Sequence, residues 1–530
     1  MDGTPTAPQD EVGFLNRPLF DDPSARAVAR VGVIDVGSNS VRMVVFDGAA
    51  RSPAYFFNEK VLCGLGRGMV QTGRLNPEGR VRALAALRRF AALAEGMELT
   101  GLEAVATAAA REAEDGPEFL DEVAEQTGLT LRVIDGREEA RLSAQGVLLG
   151  WPGAEGLVCD IGGSSMELAV ISGGAVEARV TSALGPFRLQ GLAGGQKGLR
   201  KHVRAVLDGL KAEVGGGHAR LYLVGGSWRA LARLDMERRG YPLTVLHEYE
   251  MTPKAIRKTI DWVTRSDLKG LRARTGISSE RIQLVPLAGV VLRELLKVFR
   301  PKSVHISAYG LREGLLYEQM PDDLRARDPL IEACHHAEAA SARLPGFGRK
   351  LYDFIRPLYA KAPASRLRLV RAACLLHDVS WRAHPDYRAA ACFDNATRAN
   401  LGGLDHKGRV FLGLALMHRY SNAKSVMARM APLQGLLTEA ERAQAEVLGK
   451  AMRFGAMFSI AGPDTAGRLK FYPKKGVLEL VLTPQAEALL GEVAQARLVA
   501  LASALKAEPR VRTGRNKTGR SKPAGQAETG

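Results

Sequence analysis

Two stretches of this chain place an aspartate at the end of an apolar run and a small polar turn directly after it. In VGVIDVGSNSVRMVVF (residues 31–46), Asp35 closes the first run, Gly37, Ser38, Asn39 and Ser40 form the turn, and residues 41–46 make a second run. Two β-branched runs joined this way predict a hairpin. Gly37 can take positive φ, and successive N–H groups in such a turn form an anion-binding nest. A carboxylate at the strand end can hold Mg²⁺ directly or through water, because that ion takes oxygen ligands and keeps several waters. Alone, the stretch reads as well as an ordinary hairpin with a polar tip.

The pattern recurs in VCDIGGSSMELAVI (residues 158–171), where Asp160 precedes Gly162, Gly163, Ser164 and Ser165. A third glycine turn, with Gly225, Gly226 and Ser227, follows a strand in LYLVGGS (residues 221–227). Repetition of the Asp-plus-turn unit predicts two related halves facing each other across a cleft. Glu167 lies in the second strand of the second hairpin among apolar neighbours. A carboxylate there needs a partner, which is either a metal or positioned water, or a buried ion pair.

Three phosphate-type loops in this order resemble the actin-like ATPase and sugar kinase superfold. Six stretches narrow the resemblance to the exopolyphosphatase and guanosine pentaphosphate phosphatase (Ppx/GppA) family: IDVGSNSVRMVV, TAAAREAEDG, DGREEARLSAQGV, CDIGGSSMEL, LVGGSWRAL and SAYGLREGLLYE. They run in family order through roughly the first 320 residues. The resemblance implies two ribonuclease-H-like halves and phosphoanhydride hydrolysis. It implies Mg²⁺ as cofactor, held by Asp35, Asp160 and Glu167. It makes Glu139, second of the pair Glu138-Glu139 before Ala140 and Arg141, the general base. Without the resemblance, Glu139 reads as a solvated first-turn residue favoured by the helix dipole. The resemblance also assigns phosphate binding to Arg111, whose planar guanidinium suits bidentate contact; the plainer reading is an ion pair with Glu112 or Glu114. The turns at Gly37–Ser40, Gly162–Ser165 and Gly225–Ser227 are expected to bind substrate.

Two departures from the family pattern bear on substrate. Ser164 replaces a usual third glycine, and Trp228 replaces a small polar residue after the third turn. An indole there would narrow a nucleotide space or stack on a base, which leaves polyphosphate and pppGpp both open.

Composition bounds the rest. The chain has 530 residues and a net charge of +17. Residues 506–530 hold seven basic and two acidic residues, leaving +12 elsewhere. Such a surface suits an anionic partner. Aromatic residues are 6% and show no run interleaved with basic residues, so polyphosphate fits better than single-stranded nucleic acid. The five scattered cysteines form no CxxC pair, no apolar run is long enough to span a bilayer, and the first residues do not form a secretory signal. A cytoplasmic protein without membrane contact is expected, with a homodimer as its assembly. Nucleic-acid contact by the tail has no support beyond its charge.

Alternating strands and helices predict an α/β fold. The expected order is a flexible leader (1–29), an actin-like domain I (30–150), a domain II (151–320), a linker at 321–329, a mainly α-helical HD-like domain (325–505) and a disordered basic tail (506–530). In the helical part, His377-Asp378 with His335, His336, His384, His406 and His418 resembles an HD-type metal site whose ligand set is incomplete. The function expected is release of orthophosphate from polyphosphate ends by Mg²⁺-assisted attack of water. The alternatives are pppGpp hydrolysis and, in another class, a non-catalytic polyphosphate or RNA binder.

Overall fold

A computed structural model describes residues 30–47, 51–190, 192–421 and 424–514. The expected leader (1–29), and the expected tail from residue 515 on, lie outside them. The chain divides into two compact units. The first comprises residues up to Ala333 together with Asn400–His406, and the second comprises Cys334–Ala399 and the chain from Lys407.

The first unit is built on two sheets with matching topology. In the first, β1 (Val31–Val36), β2 (Ser40–Phe46), β3 (Tyr55–Leu62), β4 (Gly101–Ala106) and β5 (Arg132–Val133) lie in the order β3-β2-β1-β4-β5. In the second, β6 (Gly156–Ile161), β7 (Met166–Ser172), β8 (Ala175–Ser182), β9 (Arg220–Val224), β10 (Tyr249–Met251) and β11 (Ser303–Ile306) lie in the order β10-β11-β9-β6-β7-β8. Each half starts with an antiparallel hairpin whose first strand also pairs in parallel with a later strand. These are the two ribonuclease-H-like halves of the actin-like fold.

Why these runs are apolar throughout follows from what covers each face. Along β1, Val31 and Val33 join one core while Ile34 and Val36 join another. Along β6, Val158 joins that first core, and Leu157, Cys159 and Ile161 enter a third. One core is therefore shared between the two sheets, and each sheet has an outer core of its own. Strands buried on both faces need no polar alternation.

Two helices fill the shared core: Gly136–Gly150 and Leu311–Gln319. They cross with backbone nearly touching backbone. A Cβ on Gly314 would lie 1.8 Å from the Leu142 carbonyl oxygen, and one on Gly146 would lie 2.2 Å from the Gly310 carbonyl oxygen. Neither obstacle is a side chain that can swing away. Gly314→Ala should therefore cost at least about 1–3 kcal/mol, the usual penalty of overpacking. Denaturant unfolding of the variant checks this; an unchanged midpoint would mean the crossing is loose.

Three expectations are corrected here. Residues 321–329 are not a linker. Leu324 is buried in the shared core, and Arg51 donates to the carbonyls of Leu149 (2.6 Å), Arg325 (3.2 Å) and Arg327 (2.9 Å), binding the segment to the first unit. The helical domain also does not run unbroken from residue 325, because Asn400–His406 returns to the first unit. There Asn400 donates to the Pro53 carbonyl at 3.1 Å and Gly403 N–H to the Gly150 carbonyl at 2.6 Å. Finally, residue 506 does not begin a disordered tail. Glu508–Thr513 form strand β14, parallel to β13 (Val477–Leu482), which pairs with β12 (Gly467–Tyr472). All six β14 residues are exposed, so apolar periodicity could not reveal it; backbone pairing holds it, with an ion pair from Arg512 to Glu479 at 3.1 Å.

The second unit is otherwise mainly helical, as expected. The Glu439–Phe458 helix opens with a capping box between Thr438 and Glu441. Toward the end of this unit a short 3₁₀ turn (Pro484–Leu489) precedes a helix from Glu492 to Ala504.

Candidate active site

The two hairpin turns have the same geometry. Gly37 N–H donates to the Ser40 carbonyl and Gly162 N–H to the Ser165 carbonyl, both at 3.0 Å. In register, Asp35 faces Arg42 across the first hairpin, and Asp160 faces Glu167 across the second. The duplicated unit thus puts a cation in one half where the other half has a carboxylate. The third turn packs against the second hairpin. Gly225 has φ of 108°, and a Cβ there would lie 2.6 Å from the Ile161 carbonyl oxygen and 2.9 Å from Asp160 Oδ1. Only glycine fits, and the N-terminus of the Gly226–Arg239 helix is thereby brought to the site.

These turns line one cleft of about 1140 Å³. Gly37, Ser38, Asn39 and Ser40 meet Gly162, Gly163, Ser164 and Ser165 there, with Gly225, Gly226, Ser227, Asp35, Asp160 and Glu139. Two expected site residues stand outside its lining. Arg111 donates to the Ile134 carbonyl at 2.7 Å and to Glu112 at 3.2 Å. Glu112 is held in turn by Arg188, which lines the cleft from the other half. Glu167 lies buried behind Asp160 and accepts from the Thr181 hydroxyl at 3.0 Å.

Adjacent glutamates have opposite surroundings. Glu138 is bound by Arg141, Nε to Oε2 at 2.8 Å, and that pairing holds its carboxyl below the usual range. Glu139, one residue on, turns into the cleft, and its Oε2 is buried without a hydrogen-bond partner. Burial first, then the Glu167, Asp160 and Asp35 charges, push it well above the ordinary carboxylate range; Arg111 pulls it back. Glu167 is pushed up to about 8, by burial first and then by Asp160. Asp160 is raised by burial, against the hydrogen bond from Ser143. Asp35 accepts from Arg312 at 2.9 Å.

This carboxylate group fits a hard divalent cation. Oε2 of Glu139 and Oε2 of Glu167 are both buried and unpartnered, and burial disfavours their charged forms. Among the described residues no three His, Cys, Asp or Glu side chains converge on one point. A cation there would take one or two of Asp35, Asp160 and Glu167, and draw its remaining ligands from water and phosphate oxygens, as Mg²⁺ prefers.

A pH dependence follows. Glu167 titrates higher folded than unfolded, so its contribution to stability is full at acid pH and is lost as pH rises through about 8. With divalent cations chelated, the thermal midpoint should fall between about pH 5 and about pH 8.5, and Glu167→Gln should flatten that fall. A slope unchanged in the variant would remove Glu167 as its source.

The cations of the cleft escaped sequence reasoning. Arg42, Lys60, Arg229, Arg281 and Arg312 all line it. Burial and then Arg312 push Arg42 down to about 10; burial and then Arg281 push Lys60 down to about 8. Arg229 is lowered by burial and then by Arg312, and its Nε has no acceptor. Arg312 is lowered by burial, but Glu313 and Asp35 outweigh this and hold it high. Arg42, Arg229 and Arg312 stand near the motif turns and were findable there; Lys60 and Arg281 carry no local signal. Trp228 corrects another expectation. It is fully buried in the outer core of the second half, so it neither narrows the cleft nor stacks on a base.

A duplicated α/β fold with loops, carboxylates and cations converging on one cleft defines a protein of the actin-like class. Residues 44–323, just over half of the chain, match the Ppx/GppA phosphatase family, and residues 330–508 match the family described as exopolyphosphatase, C-terminal. The chain belongs to the Ppx/GppA phosphatase family. It is 26% identical over 308 residues to exopolyphosphatase 1 of Mycobacterium tuberculosis, covering 56% of this chain and 89% of that protein. It is 25% identical over 449 residues to retrograde regulation protein 2 of Saccharomyces cerevisiae, covering 75% and 74%. The crystal structure of the Aquifex aeolicus Ppx/GppA family member is similar at 25% identity and a TM-score of 0.49, over 55% of this chain and 97% of that one. No helix among the described residues is long and apolar enough to cross a membrane.

Proposed function

We propose that this chain is an exopolyphosphatase that releases orthophosphate from the ends of inorganic polyphosphate. The observation that carries the reading is the juxtaposition of Arg42, Lys60, Arg229, Arg281 and Arg312 in the cleft with the unpartnered Oε2 of Glu139. Cations that lower one another's proton affinity are relieved by a polyanion. Phe187 lines the cleft and packs on Gly163, where a Cβ would lie 2.7 Å from its ring. Phe187 is half-buried and the only other ring on the lining among the described residues is His202, so the cleft offers little aromatic surface to a base, which favours polyphosphate over a nucleotide.

In this reading the chain end lies between the two hairpin turns, whose N–H groups and hydroxyls hold its terminal oxygens. Arg312, Arg229 and Arg42 draw the anionic chain in and offset charge spreading over the transferred phosphoryl group. Glu139 takes a proton from the attacking water. The water oxygen bonds to the terminal phosphorus, the bridging P–O bond breaks, and the shortened chain leaves with that electron pair. Mg²⁺, held by one or two of Asp35, Asp160 and Glu167, would supply charge neutralisation at the phosphate oxygens. Arg111 acts through Glu139 as a positioning residue. All five cysteines are free and buried, which suits the reducing cytoplasm.

Likeness to retrograde regulation protein 2 over three quarters of this chain favours a second reading, binding without turnover. Phosphate release measured side by side on long polyphosphate and on pppGpp tests both. Faster release from polyphosphate is expected. Preference for pppGpp would make it the same chemistry on a nucleotide end, and tight binding without release from either would leave a non-catalytic binder.

A further inference from the structure

The His377-Asp378 pair of the second unit is built unlike a metal site. Both Asp378 oxygens are taken by Arg343, Nε at 2.7 Å and a terminal nitrogen at 2.6 Å. Tyr420 donates to the His377 carbonyl at 2.9 Å. His377 donates its Nδ1–H to the Cys374 carbonyl at 2.9 Å, and burial, then Arg419, push it down to about 4. The imidazole is therefore neutral at physiological pH. A divalent cation would have to displace Arg343 and sit beside Arg419. The residues present do not fit one.

They fit an anion. Arg419 is only 8% exposed, its Nε has no acceptor, and the Tyr420 ring lies 4.7 Å from the guanidinium carbon. A buried guanidinium with an unmet donor is costly unless something negative joins it. Asp378 cannot serve it, being already bidentate with Arg343. Arg388 lies over the same ring at 5.5 Å and donates to the Ala383 carbonyl at 3.1 Å, so three arginines gather around Tyr420 and Asp378. Trp381 stands between Arg343 at 5.8 Å and Arg382 at 4.6 Å. Four chain segments thus assemble alternating arginines and aromatic rings that no single stretch of sequence displays. Arginines already cover the rings of Tyr420 and Trp381, so an incoming group meets cations before it meets bare aromatic surface.

We propose that the second unit carries its own phosphate-binding site at Arg343, Arg388 and Arg419, in which arginine replaces the metal of an HD-type centre and the ligand is a terminal phosphoryl group. Planar guanidinium groups suit bidentate phosphate contact. The site belongs to the second unit alone and does not depend on the hydrolytic reading.

Equilibrium dialysis of the full chain tests it, with methylenediphosphonate as probe because its P–C–P bridge is not hydrolysed. Wild type should bind two molecules per chain. Arg419→Gln should bind one, with an unliganded thermal midpoint equal to or above wild type, since a strained charge is removed. Arg419→Lys should keep both sites, and Arg312→Gln should lose only the cleft site. If Arg419→Gln does not fold, Arg388→Gln should weaken the second site roughly tenfold or more, as expected for loss of one charge-assisted contact. Competition by guanosine imidotriphosphate at the second site would make the source a nucleotide; no competition would make it polyphosphate or free phosphate, and either supports the site. Wild-type binding that Arg419→Gln and Arg388→Gln both leave unchanged, or stoichiometric Mn²⁺ binding that Asp378→Asn abolishes, would overturn it; a single wild-type site that Arg419→Gln removes would overturn only the cleft reading.

Discussion

Glu139→Gln is expected to lower kcat by about 10²–10⁴, the usual worth of a general base, with affinity for polyphosphate nearly unchanged. Glutamine keeps the shape of the side chain and removes only its ability to accept the proton. The carboxylate stands in the first turn of the Gly136–Gly150 helix with one oxygen buried and unpartnered, in a cleft that also holds Asp35 and Asp160. Its raised proton affinity brings a carboxylate towards the working range of a base near neutral pH. The same substitution should raise the thermal midpoint of the metal-free protein, because a charge that burial disfavours is gone. Loss of turnover together with a raised midpoint separates a catalytic role from a folding defect. Wild-type turnover in a folded variant would place the base elsewhere.

Arg312→Gln is expected to lower kcat/KM by about 10²–10³, the scale seen when one preorganised charge stabiliser is removed. Arg312 reaches Asp35 at 2.9 Å, and its charge is felt at Arg42, Lys60, Asp160 and Arg229. It therefore links the first hairpin to the second half of the cleft. Loss should show in both kcat and KM, since the guanidinium meets the chain end before and during transfer. Arg312→Lys should recover part of the loss, as a point charge does without the planar fork. Initial rates across polyphosphate concentrations check both variants. An effect confined to KM would limit Arg312 to binding.

The sequence by itself determined what local chemistry can encode. An apolar run, an aspartate and a short turn of small polar residues specify a hairpin, because strand propensity and turn chemistry act over a few residues. That covers the turns after Asp35 and Asp160, and their repeat in one chain called for matching halves; the turn at Gly225 instead leads from a strand into a helix. Tertiary structure decided what lies between those turns. Lys60 and Arg281 are more than two hundred residues apart and meet only because both halves close on one cleft. Trp228 follows a binding turn but points into the core, since the helix it begins turns that position inward. Arg111 sits in a family motif yet is held by a carbonyl and Glu112 outside the cleft lining. β14 forms by backbone pairing without apolar periodicity, and Asp378 receives its cation from a segment 35 residues away. Charge pairing and burial depend on distance in space, and spacing along the chain carries that distance only within a turn of helix or a hairpin.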